Sequence, residues 1–148
     1  MITKLRKIRR TLDPDHIADP YTATLESVRS ASLSLKKGAR IAVAVGSRGI
    51  AGLDRIVKAV TTAVEEAGGR PFIVPAMGSH GGATPEGQRE VLAGYGVSEE
   101  ALGVPVLSSL DVVELPRGPS PCPVYIDRHA AEADGTIVIN RVKAHTDF

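Results

Sequence analysis

The feature that most constrains this chain is a strand–helix–strand pattern beginning near residue 40. Ile41-Ala42-Val43-Ala44-Val45 is a short continuous apolar run, the pattern of a strand covered on both faces. A glycine-rich turn follows, Gly46-Ser47-Arg48-Gly49-Ile50-Ala51-Gly52. Leu53, Ile56, Val57, Val60, Val64 and Ala67 then recur at the spacing of one buried helical stripe. Gly68-Gly69 ends that helix, as glycine does just past a helix terminus. Phe72-Ile73-Val74-Pro75 is the second strand. Strand, helix and strand within about 35 residues make a βαβ unit, so the two strands are expected parallel with a right-handed crossover.

The pattern continues beyond it. After the turn Met77-Gly78-Ser79-His80-Gly81-Gly82-Ala83, Thr84 caps a helix with Pro85 at its first position, and Gly94 and Gly96 close it. Ser98 caps a shorter helix through Leu102. Val104–Leu107, Val112–Leu115 and Val124–Ile126 are expected as short strands, with the proline-rich stretch Pro116–Pro123 among them. A short helix around Arg128–Ala133 and a turn at Asp134-Gly135 lead into Thr136–Asn140, the clearest late strand. Residues 1–38 have weak periodicity and form an N-terminal extension with one helix near Thr22–Ser34. Residues 39–148 form the α/β domain. With no tryptophan, and only Phe72, Phe148 and three tyrosines as aromatics, the core must be aliphatic. The expected fold is therefore α/β, a Rossmann-like, mostly parallel sheet with flanking helices. Phe148 follows the last strand by a few residues with no covering helix, so the domain is expected to be incomplete and part of a two-domain protein.

Bulk properties exclude several classes. A formal charge of +1 gives no electrostatic reason to expect nucleic acid. The basic cluster Lys4, Arg6, Lys7, Arg9 and Arg10 is read as a solvated flank. Cys122 is the single cysteine, so neither an intrachain disulfide nor a cysteine zinc cluster can form. The start MITKLRKIRR lacks the apolar core of a secretory signal, and no apolar run is long enough to span a bilayer. A cytoplasmic protein without membrane partners is expected.

Three polar segments, 46–49, 78–82 and 140–147, each directly follow an expected strand. In an open parallel sheet the carboxyl ends of strands share the edge where ligands bind, so these segments would converge. In the first, a glycine-rich loop lets backbone amides approach an anion, and Arg48 adds a planar fork suited to carboxylate or phosphate. In the second, His80 stands between glycines that leave its imidazole open, and histidine is the natural proton carrier near neutral pH. In the third, Lys143, His145 and Asp147 share one face of an extended stretch. His80, His145 and Asp147 together would make a three-ligand metal set, although no His-x-x-x-His pattern or carboxylate cluster supports one. His16 and His129 have no comparable setting. The first turn also resembles the cofactor turn of short-chain dehydrogenases. That family's spacing needs glycine where Val45 and Ala51 stand, and lysine where His129 follows Tyr125.

Gly78-Ser79-His80-Gly81 before a Thr-capped helix, Ser47-Arg48-Gly49-Ile50, and Asn140-Arg141-Val142-Lys143-Ala144-His145-Thr146-Asp147-Phe148 are together similar to the lactate racemase family. Order and separation agree from about residue 40 to the end. The resemblance implies an enzyme that uses a nickel-pincer nucleotide to interconvert the configurations of a small 2-hydroxyacid by hydride transfer. It implies His80 and His145 as acid/base partners and Arg48 as the group that holds the substrate. Ser47, Gly78, Ser79 and Lys143 would contact the cofactor. The family's cofactor-anchoring lysine and nickel-binding histidine would lie downstream of Phe148, with a carboxyl-terminal domain of the same protein as partner. This chain alone would then be inactive. Two departures stand out. The family's Asp-x-Thr-Arg-Pro turn is Val45-Gly46-Ser47-Arg48-Gly49 here, and its arginine after the histidine is Gly81. A stand-alone anion- or nucleotide-binding module without catalysis is the alternative.

Overall fold

The structure, a computed structural model, describes residue 9 and residues 16–116, 118 and 122–142. In chain order its elements are α1 (Pro20–Ser30), β1 (Arg40–Val45), α2 (Leu53–Glu66), β2 (Arg70–Pro75), a 3-10 turn (Gly81–Ala83), α3 (Pro85–Gly94), α4 (Glu99–Leu102), β3 (Val112–Glu114), β4 (Tyr125–Asp127), α5 (Arg128–Ala131) and β5 (Gly135–Ile139).

The βαβ unit forms as the sequence dictates. β1 and β2 pair in parallel from Arg40 opposite Arg70 to Val45 opposite Pro75, and β5 pairs in parallel on the other side of β1. The sheet order is β2-β1-β5. Beyond β2 the expected strand at Val104–Leu107 is reduced to one parallel bridge between Ile73 and Val106. Ile73 N donates to the Pro105 carbonyl and Leu107 N donates to the Ile73 carbonyl, both at 2.8 Å. Pro105 has no N–H with which to extend the ladder. β3 and β4 form a separate antiparallel ribbon, Val113 opposite Ile126.

β1 is central, and this is why its run is apolar at every position after Arg40. On one face Val43, Val45 and Ile73 pack against Leu53, Val57 and Val60 of α2 and Leu92 of α3. On the other, Ala42, Ala44, Phe72 and Val74 meet Ala130 of α5, with Ile126 and Leu107 alongside. Each fully buried Val, Leu or Ile contributes roughly 1.5–3 kcal/mol, so these two faces hold the sheet. Among the described residues, β5 is covered on the first face only. Ile137 and Ile139 pack inward, whereas Thr136 and Val138 lie on the opposite side and Val138 is 68% exposed.

The helix in the first 38 residues starts at Pro20, two residues before the expected Thr22, because Asp19 caps it by accepting from Tyr21 N. It ends at Ser30, short of the expected Ser34, and Ser32 turns the chain with φ 53°. α1 packs on α2 through Leu25 against Ala59 and Ala63. Ion pairs of 2.6 Å, Arg29–Glu66 and Arg55–Asp19, flank that contact. Among the described residues no helix is long and apolar enough to cross a membrane.

Candidate functional site

Because β1, β2 and β5 are parallel, the loops that leave them emerge at one edge of the sheet. The ladder runs one step past the strands there. Gly46 N donates to the Ile139 carbonyl at 3.0 Å, and Ala76 N donates to the Val45 carbonyl at 2.8 Å. Gly46 is required by close approach, since a Cβ there would lie 2.6 Å from Asn140 Oδ1. Asn140 Oδ1 in turn accepts from Arg141 N at 2.8 Å, and the Arg141 guanidinium donates to the Gly49 carbonyl at 3.4 Å. The segment after β5 is thereby fastened to the loop after β1.

Ser47 and His80 meet across the loops after β1 and β2. Ser47 Oγ lies 2.7 Å from His80 Nδ1. Both loops are held by α3. Gln88, 4% exposed, donates from Nε2 to the Gly78 carbonyl at 2.7 Å. Tyr95, the C-cap of α3, donates its hydroxyl to the Ser47 carbonyl at 3.0 Å. Seven residues are about two helical turns, so Gln88 and Tyr95 work from the same face.

The turn carrying His80 also rests on the first turn of α3. His80 N donates to the Met77 carbonyl at 3.2 Å, and Gly81 and Gly82 take φ 65° and 67°. A Cβ on Gly81 would stand 2.5 Å from Gln88 N. Position 81, where the resemblance sets an arginine, has no room for any side chain in this packing.

Of the expected site residues, Ser47, Arg48, Gly78, Ser79 and His80 therefore share one edge, and Ser47 and His80 touch. Lys143, His145 and Asp147 lie outside the described residues, as do Lys4, Arg6, Lys7 and Arg10 of the basic cluster. Arg48 is half-buried and has no hydrogen-bond or ion-pair partner among the described residues, whereas Ser79 and His80 are exposed. The sequence reading missed Gln88 and Tyr95, and it placed Asn140 and Arg141 in the third polar segment without giving either a role. For Gln88 and Tyr95 a signal existed: both fall on the stripe of α3 that also carries Leu92.

Among the described residues, Gly78, Ser79, His80 and Asn140 at this edge are exposed. A groove of about 520 Å³ beside α3, lined by Pro85, Glu86, Arg89, Glu90, Ala93 and Ser108, contains none of these residues. It holds no expected proton carrier. At the edge, the Ser79 hydroxyl and the backbone of Gly78, where a Cβ would meet nothing within 4 Å, would suit phosphate oxygens, and the Arg48 guanidinium a carboxylate. Among the described residues no three His, Cys, Asp or Glu side chains gather.

Residues 17–148 match the family model described as the lactate racemase N-terminal domain. No curated protein matches the chain.

Proposed function

The chain belongs to the lactate racemase N-terminal domain family, and on that premise we propose that it is the amino-terminal part of a nickel-pincer nucleotide-dependent 2-hydroxyacid racemase or epimerase. The observation that carries the reading is the 2.7 Å contact between Ser47 and His80 at the strand-end edge, with Arg48 in the same loop as Ser47. When bound, the nickel-pincer nucleotide supplies the centre that accepts hydride from C2 of the substrate and returns it.

The chain's own residues handle the rest. Arg48 binds the substrate carboxylate through its two-pronged guanidinium. His80 takes the proton from the C2 hydroxyl on one side and gives it back, as an acid/base near neutral pH must. His145 does the same from the other side. Gly78, Ser79 and Lys143 hold the cofactor's phosphate. Ser47, expected to join them, already has its hydroxyl on His80. The nickel ligand and the covalent anchor would come from residues downstream of His145 in the same protein.

The test uses the protein with its native continuation, loaded with cofactor and given a single enantiomer of lactate and of larger 2-hydroxyacids. Chiral chromatography follows inversion at C2. His80→Ala should reduce turnover by at least about 100-fold, with nickel content and cofactor adduct mass unchanged. Full turnover in that variant removes His80 from the mechanism. If the loaded wild-type protein inverts nothing, yet binds carboxylates in a manner lost in Arg48→Ala, the anion-binding module is the correct reading.

A further inference from the structure

We infer that Ser47 is a positioning residue for His80. Held at its own carbonyl by Tyr95, it fixes the imidazole through Nδ1 and leaves Nε2 as the nitrogen that moves the proton. The catalytic half of this rests on the proposed racemase reading; the positioning half does not.

His80 follows Gly78 and Ser79 and precedes Gly81 and Gly82, so its backbone alone does not fix the ring. Among the described residues the ring has one hydrogen-bond partner, Ser47 Oγ at 2.7 Å. Ser47 itself has little freedom. The preceding residue is tied to β5 by the bond from Gly46 N to the Ile139 carbonyl at 3.0 Å, and its own carbonyl accepts from Tyr95 at 3.0 Å. The turn that carries His80 is likewise braced, because Gln88 Nε2 donates to the Gly78 carbonyl at 2.7 Å. One helix thus fixes both partners of the contact.

A hydroxyl suits this task because its oxygen accepts. It accepts from Nδ1–H in the neutral tautomer whose Nε2 is free to take a proton, and it accepts from Nδ1–H again in the imidazolium. The contact therefore survives the change of protonation that an acid/base undergoes in each cycle. A carboxylate in the same place would favour the cation. None is available from position 45, where Val45 is fully buried in the core.

The test is made on the 148-residue protein, labelled with 15N, by long-range 1H–15N correlation of the imidazole nitrogens across the His80 titration. The wild-type protein should show one dominant neutral tautomer. Ser47→Ala should shift both nitrogens toward the values of an unrestrained imidazole, and Ser47→Thr, which keeps the hydroxyl, should restore them. Tyr95→Phe, which keeps Ser47 and removes only its brace, should give an intermediate shift. Averaged nitrogens in the wild type, or wild-type shifts in Ser47→Ala, overturn the inference. If Ser47→Ala does not fold, Tyr95→Phe decides, and unchanged nitrogens there count against it. In the complete, cofactor-loaded protein, Ser47→Ala should lower kcat by roughly 10- to 100-fold with KM unchanged, and Ser47→Thr should recover it. A fixed tautomer in a protein that never inverts substrate would keep the positioning and discard the racemase reading, so the two failures are distinguishable.

Discussion

Replacing Gly87 by alanine sets two effects against each other on one helix. Gly87 lies in the first turn of α3, and helix propensity alone predicts that alanine there gains about 0.5–1 kcal/mol. The structure predicts the opposite sign. A Cβ on Gly87 would stand 2.8 Å from the Gly81 carbonyl carbon, closer still to its oxygen, and 2.9 Å from Thr84 Oγ1. Ordinary contact begins near 3.4 Å, so the Gly81 peptide must retreat by about 1.4 Å, a distance set by its oxygen. That peptide is backbone, fixed on one side by the Gln88–Gly78 bond and on the other by the Thr84 cap. Overpacking costs about 1–3 kcal/mol, and a clash with backbone this deep lies at the upper end, about 2–3 kcal/mol, which leaves a net loss of about 1–2.5 kcal/mol. For a chain of this size the melting midpoint should fall by about 3–6 °C.

Gly94→Ala is the control. It is the same exchange in the last turn of the same helix, where a Cβ would meet nothing within 4 Å, so it should stabilise by up to about 1 kcal/mol. Calorimetry on both variants reads the signs, and the His80 15N spectrum reads the loop. Gly87→Ala should also disturb His80, because the displaced peptide is the next one in the chain. A Gly87→Ala protein as stable as Gly94→Ala, with His80 unmoved, would refute the claim that the His80 turn is packed on α3 through glycine.

Two further outcomes are expected. Thr84→Ala removes the side-chain acceptor of Gly87 N, 3.0 Å away, and should lower the urea midpoint by the equivalent of about 1 kcal/mol without changing the slope. Glu66→Gln should flatten the acid dependence of stability. Hydrogen bonding from Arg29 holds the Glu66 carboxylate below its ordinary 4.5, so its contribution is present above that value and is lost as pH falls through the lower, folded one. Urea midpoints measured from neutral pH downward should converge for wild type and variant at the acid end. The slope that remains in the variant includes Asp19, lowered first by the Thr22 hydroxyl. Midpoints that stay equally far apart at every pH would show that the Arg29–Glu66 pair does not act through ionisation.

The parts of the fold legible in the sequence are those written by periodicity. β1, β2, β5, α2 and α3 each bury a run or a stripe, and burial is what periodicity reports. α1 was harder to bound because it buries only Leu25; its start lies in Asp19-Pro20, a capping signal rather than an apolar one. The strand at 104–107 failed because Pro105 looks permissible at a sheet edge and yet cannot carry a ladder. The site was legible as far as strand ends are: Ser47, Arg48 and His80 follow strands that proved parallel. Their contact was not legible. It depends on where α3 sets Gln88 and Tyr95, which local sequence does not encode.

The two departures from the family's pattern acquire a common cause in this packing. Val45 is fully buried in the core, so an aspartate at 45 would bury a charge among Leu53, Val57 and Leu92, at a cost of several kcal/mol unless partnered. Position 81 is closed by the backbone of Gly87 and Gln88 and by a left-handed φ, so an arginine there would require the turn to lift off α3. Neither a carboxylate at 45 nor a guanidinium at 81 fits while both loops rest on α3 in this way. What replaces them is neutral: a hydroxyl on the imidazole, braced by a phenol. Arg48, unpartnered among the described residues, leaves a guanidinium at this edge that suits one carboxylate or phosphate.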